Sequence, residues 1–141
     1  MRPLRLFALA ALAVALTACG DDSPTAPSSG VFTQTDLVVG TGAEATNGRD
    51  LTVHYTGWLW DPSKTDAKGL QFETSRTGDP LVFTLGAGQL IEGFDRGLVG
   101  MRVGGLRRLI IPPSMAYGTT RNGPIPPNAT LVFEVELLEV E

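Results

Sequence analysis

The clearest hydrophobic pattern of the chain lies near its carboxyl end, where apolar and polar positions alternate. Every second position is apolar in this stretch: Leu131, Phe133, Val135 and Leu137. A period of two is typical of a strand with one buried face, so the pattern predicts a terminal antiparallel strand with Phe133 pointing inward. Before it, Tyr117-Gly118 and the Pro126-Pro127 turn form a stiff loop, from which the tyrosine ring can lean over a pocket lined by Phe133. The first hypothesis is an aromatic slot about the size of a proline ring.

Three further segments predict short strands, and one predicts a helix. Residues 51–58 are typical of a strand ending at Gly57, residues 71–76 of a second strand or bend, and residues 107–111 of a strand stopped by Pro112. Residues 85–101 predict a short helix with one apolar face. Glycine-rich turns separate these elements, and the chain shows no internal repeat. The layout predicts an α+β fold.

The amino end is typical of a bacterial lipoprotein signal peptide. Arg2 and Arg5 precede an apolar run over residues 6–16, which is shorter than the roughly 20 residues that span a bilayer as a helix. The run ends in Leu16-Thr17-Ala18-Cys19, which is similar to a lipobox whose cysteine is acylated before cleavage. A buried free cysteine is the alternative, but no folded segment is predicted around Cys19. We therefore expect residues 1–18 to be removed and Cys19 to carry lipid.

Composition supports a tethered domain outside the cytoplasm. Cys19 is the single cysteine, so no intramolecular disulfide can form. The expected mature chain carries nine basic and fifteen acidic side chains, a net charge near −6, which disfavours nucleic acid and anionic membrane surfaces as partners. Residues 19–33 are rich in serine, proline and aspartate and predict a flexible linker. Residues 34–141 remain as one folded domain, large enough to stand without disulfide or metal.

Five motifs in the same order identify a family resemblance. They are His54-Tyr55-Thr56-Gly57, Phe72-Glu73-Thr74-Ser75-Arg76, Leu90-Ile91-Glu92-Gly93-Phe94, Tyr117-Gly118 and Ile125-Pro126-Pro127. The chain resembles the FKBP-type peptidyl-prolyl cis/trans isomerases through these motifs, over roughly residues 33 to 141. The resemblance implies a curled antiparallel β-sheet wrapped around one short α-helix, with a pocket between them.

The resemblance also implies the residues of the site. The catalytic set would be the Tyr117 hydroxyl and the Ile91 backbone amide, which hold substrate carbonyls, and the Glu73 carboxylate beside the reacting bond. The implied substrate-binding residues are Tyr55, Phe72, Phe83, Leu90, Ile91, Phe94, Tyr117, Ile125 and Phe133. Glu73 stands where the family usually has aspartate, and Phe94 where it often has tryptophan.

The implied activity is isomerisation of Xaa-Pro bonds in exported proteins, with no cofactor and no metal. Implied partners are proline-containing polypeptides and macrolide inhibitors, and we expect a monomer anchored by lipid in the bacterial cell envelope, facing the periplasm or the exterior. A non-catalytic FKBP-like peptide-binding or chaperone module is the alternative, with Glu73 and Phe94 as its marks. A purely structural lipoprotein is the third interpretation.

Several of these residues also have a purely structural interpretation. The four phenylalanines could simply be core, and Glu73 with Arg76 could be a surface ion pair. His54 is the only histidine and has no second metal ligand nearby in the sequence, so we assign it no chemistry. The segment between Gly57 and Phe72 predicts a bulge that splits the strand, although an exposed Trp58 or Trp60 could contact client chains.

Overall fold

Six antiparallel strands form one sheet in the computed structural model, which describes residues 30–141. The elements are β1 (Thr33–Val38), β2 (Asp50–Trp60), β3 (Lys68–Thr74), β4 (Leu81–Thr84), α1 (Glu92–Gly97), β5 (Leu106–Ile111), a 3-10 turn (Pro113–Met115) and β6 (Leu131–Val140). The strand order is β1-β5-β6-β2-β3, and β4 pairs with β2. The predicted antiparallel sheet with one short α-helix is confirmed.

Strand β2 organises the sheet because it has neighbours on both edges. One edge pairs with β6 along nearly its whole length, and the other pairs first with β4 and then with β3. The β2–β3 register shifts between Gly57 and Trp58 and again before Trp60, so bulges bend this pair. Bulges of this kind also increase the local twist of the strand pair.

The helix α1 lies unusually close to the sheet because glycines form its buried side. A Cβ atom at Gly93 would lie 2.5 Å from the Ile111 side chain, and one at Gly97 would lie 2.6 Å from the Leu109 side chain. Both partners belong to β5, so strand and helix backbones approach with no helix side chain between them. Phe94 lies between the two glycines in sequence, and its ring packs against Phe133 and borders the cavity described below.

A buried arginine joins the helix to the sheet edge. The Arg107 guanidinium donates to the carbonyls of Gly97 and Val99 at 2.8 and 3.0 Å, where the helix ends. It also pairs with the Asp36 carboxylate of β1 at 2.7 Å. The last carbonyls of a helix have no partner within the helix, and Arg107 supplies the donors.

The predicted alternation in β6 is confirmed, with one addition. Phe133, Val135 and Leu137 point into the core, and Glu134 and Glu136 are half-buried on the other face. Val132 lies on that outer face yet is fully buried, because it pairs across the sheet with Trp58 and Ile110. The outer face is therefore partly covered and is not uniformly polar.

The predicted short helix occupies six residues of the segment in which it was expected. Of residues 85–101, only Glu92–Gly97 are helical, because Gly86 and Gly88 have φ values of +80° and +71° that no right-handed helix contains. The Asp95 side chain accepts hydrogen bonds from the N–H groups of Gly86 and Gly88 at 2.9 and 3.0 Å. Residues 85–91 are thus a loop that hydrogen bonds to Asp95 hold against the helix.

The packed chain begins a few residues before the expected domain boundary at residue 34. The Gly30 N–H donates to the Thr130 hydroxyl at 3.1 Å, Phe32 packs against the core, and Thr33 already belongs to β1. The predicted signal peptide, Cys19 and most of the linker lie outside the described residues. Within the described part, no helix is long and apolar enough to cross a membrane.

Candidate active site

Phe94 is the centre of an aromatic cluster between α1 and the sheet. Its ring meets the Phe133 ring edge-to-face at 4.8 Å, the Tyr55 ring at 5.9 Å and the Phe83 ring at 6.4 Å. Phe72 meets Phe133 at 5.6 Å from the other side. Edge-to-face aromatic pairs contribute roughly 0.5–1.5 kcal/mol each beyond the burial of their area. The rings are therefore held in fixed positions before any ligand arrives.

An open cavity of about 300 Å³ lies above this cluster. Its walls are formed by Tyr55, Glu73, Leu81, Gln89, Leu90, Ile91, Phe94, Tyr117 and Phe133. The floor is apolar, and the polar groups lie at the rim. This size and composition are typical of a small-ligand site.

Glu73 brings a carboxylate to the rim, beside two tyrosine hydroxyls. Burial and the neighbouring Glu73 carboxylate raise the pKa of the Tyr55 hydroxyl. Burial and the same carboxylate also raise the pKa of the Tyr117 hydroxyl, and an interaction with the Asn122 side chain acts in the opposite direction. A phenolate beside a carboxylate is disfavoured, so both hydroxyls stay protonated and can donate hydrogen bonds.

Ile91 contributes a backbone N–H group to the wall of the cavity. Ile91 precedes α1 in an extended conformation, with φ of −60° and ψ of 149°. Within residues 30–141, its N–H group has no acceptor. The loop before it is fixed by Asp95 and by the Gln89 side chain, which accepts the Thr84 N–H at 2.9 Å. Ile91 therefore brings to the cavity wall a backbone N–H without an acceptor among the described residues.

Gly57 allows two of the pocket rings to approach β2. Across the sheet it pairs with Phe133 on one side and Glu73 on the other. A Cβ atom at this position would lie 2.6 Å from the Phe72 ring and 2.7 Å from the Phe133 ring. Any side chain here would push the rings away from their present positions.

The structure gathers most of the predicted site residues, in two adjoining spaces. Seven of the predicted site residues border the main cavity: Tyr55, Glu73, Leu90, Ile91, Phe94, Tyr117 and Phe133. Phe72 and Ile125 border a neighbouring groove that shares Glu73 and Tyr117 with the main cavity. Glu73 and Tyr117 therefore border both spaces.

Phe83, which was predicted to bind substrate, borders neither of the two spaces. It lies on β4, and its ring meets the Phe94 ring at 6.4 Å. Conversely, the polar side chains of Gln89 and Asn122 and the apolar Leu81 and Pro124 border the two spaces without having been predicted to bind. For Gln89 the available signal was its position directly before Leu90 and Ile91.

The structure also shows the contacts of Arg76 and His54, for which the sequence allowed a purely structural role. Arg76 pairs with Glu136 at 2.8 Å rather than with Glu73, which leaves the Glu73 carboxylate to the tyrosines. His54 bonds through Nδ1 to the Ser75 hydroxyl at 3.0 Å and thereby joins β2 to the end of β3. Across the part of the chain that the structure describes, no three potential metal-ligating side chains come together.

The segment between Gly57 and Phe72 forms an extended β-hairpin with the predicted bulges. The Lys68 ammonium group lies 4.4 Å from the centre of the Trp58 ring, and both side chains are half-buried on the outer face. The Trp58 ring is therefore in contact with a neighbouring side chain of the same domain. Trp60, near the hairpin turn, borders a separate groove.

Comparisons with known proteins agree on one family. Residues 42–138 match a sequence model of the FKBP-type peptidyl-prolyl cis-trans isomerases. An FK506-binding protein of Neisseria meningitidis serogroup A is 50% identical over 106 residues, covering 74% of this chain and 92% of that protein. FK506-binding protein 1 of Aspergillus oryzae is 42% identical over 105 residues, covering 72% of this chain and 90% of that protein.

Solved structures show the same likeness. The crystal structure of AtFKBP13 superposes with a TM-score of 0.67 at 35% identity, covering 78% of this chain and 93% of that one. The crystal structure of FkpA from Escherichia coli gives a TM-score of 0.66 at 38% identity, covering 78% of this chain and 48% of that one. Sequence and fold therefore point to one group of proteins.

Proposed function

The chain belongs to the FKBP-type family of peptidyl-prolyl cis-trans isomerases, and we propose that its aromatic cavity accelerates rotation about Xaa-Pro bonds in exported polypeptides. The observation that carries the proposal is the combination of an apolar floor, formed by Phe94 and Phe133, with protonated donors at the rim. No cofactor takes part in the proposed reaction.

The chemistry requires no nucleophile, only an environment that favours the twisted amide. Rotation about a peptide bond has a barrier of about 18–20 kcal/mol, and uncatalysed Xaa-Pro exchange takes tens to hundreds of seconds. The planar amide is polar and is solvated well by water, whereas the twisted amide has lost its resonance and much of that polarity. A dry aromatic pocket therefore favours the transition state over the ground state. An acceleration of about 10⁴-fold needs about 5.5 kcal/mol, which desolvation and two hydrogen bonds can supply.

Each group at the cavity receives a role in the proposal. The proline ring enters the space over Phe94, the Ile91 N–H and the Tyr117 hydroxyl donate to substrate carbonyls, and the Glu73 carboxylate lies beside the rotating bond. Tyr55, whose hydroxyl lies beside the same carboxylate, holds Glu73 in place. Macrolides of the kind named in the relatives would compete for the same cavity.

The test is the cis-to-trans rate of short Xaa-Pro peptides with the chain from Gly20 to Glu141, which contains every described residue. Tyr117→Phe removes one donor and keeps the ring, so we expect kcat/KM to fall about tenfold, the effect of roughly 1.4 kcal/mol. Val82→Thr is the control, because this residue is 62% exposed on β4 and is not among the residues that border the cavity. Equal rates for Tyr117→Phe and Val82→Thr would refute the role of the hydroxyl.

Glu73 decides between the isomerase and a binding module of the same fold. Its carboxylate reaches the rim on a side chain one methylene longer than the aspartate usual in the family, and the structure leaves it between the two tyrosines. Glu73→Asp should change kcat and leave peptide affinity nearly unchanged if the group acts on the rotating bond. A folded protein that binds proline peptides without accelerating them, with or without that substitution, would favour the non-catalytic alternative.

We also propose that the protein is a lipid-anchored monomer of the bacterial cell envelope. The support is the order of features in residues 1–19: two arginines come first, then an apolar run, then the lipobox-like sequence that ends at Cys19. A polar segment follows. Two or more acyl chains on Cys19 would anchor the domain stably, since each buried methylene contributes roughly 0.8 kcal/mol. Expression of the full chain and of Cys19→Ser, followed by membrane fractionation and mass spectrometry, tests the anchor. Equal release of both proteins in soluble form would refute it.

A further inference from the structure

The loop that follows Tyr117 ends in a tight turn that fixes the backbone of Asn122. The Asn122 N–H donates to the Ile125 carbonyl at 3.0 Å, and the Ile125 N–H donates to the Asn122 carbonyl at 2.9 Å. Between them lie Gly123, with φ of +53°, and Pro124. Glycine with positive φ at the first central position is typical of a type II′ turn, and proline at the second has no N–H to satisfy. Asn122 is therefore held at a defined position, although it is exposed.

The turn directs the Asn122 side chain to the same side as the Ile125 side chain. The two residues form an antiparallel bridge, and residues directly opposite each other in such a bridge project to one face. Ile125 is 4% exposed and borders the groove beside the main cavity, which has a volume of about 330 Å³. Asn122 borders the same groove, together with Glu73 and Tyr117. The Asn122 amide therefore belongs to the polar rim of the site.

Tyr117 needs a partner for its hydroxyl, because the surrounding bonds hold only the backbone. The Gly118 N–H donates to the Pro113 carbonyl at 2.8 Å, and the Asn128 N–H donates to the Gly118 carbonyl at 2.8 Å. These bonds leave the Tyr117 hydroxyl proton free to rotate to suit its partners. The Glu73 carboxylate borders both spaces and is a strong acceptor. An unrestrained proton can turn to that carboxylate instead of to a ligand.

The Asn122 side chain supplies such a partner. Burial and the Glu73 carboxylate raise the pKa of the Tyr117 hydroxyl, and the hydrogen bond with the Asn122 side chain acts to lower it. A group that donates to the phenol oxygen has this effect because it stabilises the phenolate, whereas a group that accepts the phenol proton has the opposite effect. The Asn122 amide is therefore the donor and the Tyr117 oxygen is the acceptor. The Tyr117 proton remains available to a second acceptor.

A hydrogen bond received at its oxygen makes the Tyr117 hydroxyl a better donor. Hydrogen bonds in a chain polarise one another, and each is strengthened by about 10–30%. The Asn122 amide also occupies one acceptor site of the oxygen, which restricts the directions in which the proton can point. A ligand carbonyl that enters the cavity then meets a hydroxyl that is already oriented.

We infer that Asn122 is a positioning residue, whose amide group orients the Tyr117 hydroxyl for donation to a substrate carbonyl. The inference rests on the proposed function, in which that hydroxyl donates to the substrate. Asn122 acts through Tyr117 and does not itself touch the rotating bond. Its effect should therefore disappear when the Tyr117 hydroxyl is absent.

A double-mutant cycle in the chain from Gly20 to Glu141 measures this dependence. Asn122→Ala should lower kcat/KM for short Xaa-Pro peptides by about two- to fivefold. In the Tyr117→Phe background the same substitution should change kcat/KM by less than about 1.5-fold. Asn122→Gln keeps an amide donor and should recover part of the loss. Thr119→Ala is the control, because this exposed residue of the same loop borders neither space. An equal loss from Asn122→Ala in both backgrounds would overturn the inference.

Fluorine NMR of the protein labelled with 3-fluorotyrosine observes the hydroxyl itself and needs no catalysis. The chain has two tyrosines, so two resonances are expected, and Tyr117→Phe assigns them. Asn122→Ala should move the titration of the Tyr117 resonance to higher pH, because the donor to the phenol oxygen is lost. The titration of the Tyr55 resonance should move less, and Thr119→Ala should move neither. An unmoved Tyr117 titration in Asn122→Ala would show that the contact is absent and would overturn the inference.

The proposed function and the role of Asn122 fail in different ways. The same cycle is therefore also measured on the dissociation constant of a proline peptide, which does not require turnover. A parent protein that binds the peptide without accelerating its isomerisation would refute the proposed function alone. The affinity cycle then decides the role of Asn122: a loss that needs the Tyr117 hydroxyl supports it, and a loss of equal size in the Tyr117→Phe background overturns it.

Discussion

Gly57→Ala should destabilise the protein, although alanine normally suits a strand better than glycine. In this position, however, the new methyl group would lie 2.6 Å from the Phe72 ring and 2.7 Å from the Phe133 ring. Real Cβ atoms do not approach carbon atoms this closely, so the rings or the β2 backbone must move. Because Phe133 is 3% exposed and packs on Phe94, its displacement disturbs the core as well as the cavity.

The expected size follows from two opposing effects. Overpacking a filled core costs roughly 1–3 kcal/mol. Replacing glycine with alanine recovers about 0.4–1 kcal/mol, because the unfolded chain has less freedom to lose. The net loss in the free energy of unfolding should be about 1–2 kcal/mol, which corresponds to a Tm lower by about 5–10 °C for a domain of this size.

Urea unfolding followed by tryptophan fluorescence measures this loss, because Trp58 is adjacent to the altered residue. Gly78→Ala is the matched control, since a Cβ there meets nothing within 4 Å and its φ does not lie in the left-handed region. The control should be neutral or slightly stabilising. Adding Phe72→Leu to Gly57→Ala should recover part of the loss, because the nearest ring atom is removed. Equal midpoints for Gly57→Ala and Gly78→Ala would refute the packing argument.

Three further changes test the supports of the site. Arg107→Met removes the donors at the helix end and one partner of an ion pair, so urea titration should show a loss of roughly 2–4 kcal/mol; a loss below about 1 kcal/mol would contradict the role of Arg107. Burial acts to raise the pKa of Glu134, but hydrogen bonds from Lys68 and Arg108 lower it below 4.5. Its stabilisation is therefore present above pH 4.5 and is lost as the pH falls through the folded-state pKa. Glu134→Gln should flatten the dependence of stability on pH between about 5 and 3, and parallel curves for the two proteins would argue against the pair. Asp95→Ala frees the loop before α1 and should raise KM for proline peptides several-fold with a smaller change in kcat, with Asp95→Asn intermediate; a fall in kcat alone would place Asp95 in another role.

Hydrophobic periodicity predicted the strand that buries one of its faces in the core, and it missed the strand whose two faces are both exposed. Strand β6 follows the alternation because Phe133 and Val135 enter the core. Strand β1 carries six exposed side chains and is held mainly by backbone pairing with β5 and by Asp36. No side-chain pattern could have predicted it. The short helix was predicted without exact bounds, because apolar positions continue through a loop whose shape depends on Gly86 and Gly88.

The candidate site could be predicted as a set of residues but not as a geometry. The resemblance to the family implied the rings and Glu73, residue by residue, at matching positions of the chain. Whether a ring borders the cavity or supports it depends on packing distance, and Phe83 meets Phe94 without bordering either space. Gln89 was missed because a glutamine in a glycine-rich loop suggests no chemistry by its residue type, and its position directly before Leu90 and Ile91 was the only signal.

Floor and rim of the cavity are under different constraints, and this affects how variants should be interpreted. The rings of Phe94 and Phe133 are at once the pocket floor and part of the core, so a change in either alters stability and rate together. The Glu73 carboxylate is exposed at the rim, and its described contacts are with hydroxyl groups rather than with core side chains. A substitution there can change rate or specificity with little effect on folding. The longer acidic side chain at this position can therefore vary within the family without loss of the fold, whereas the floor must stay apolar and filled.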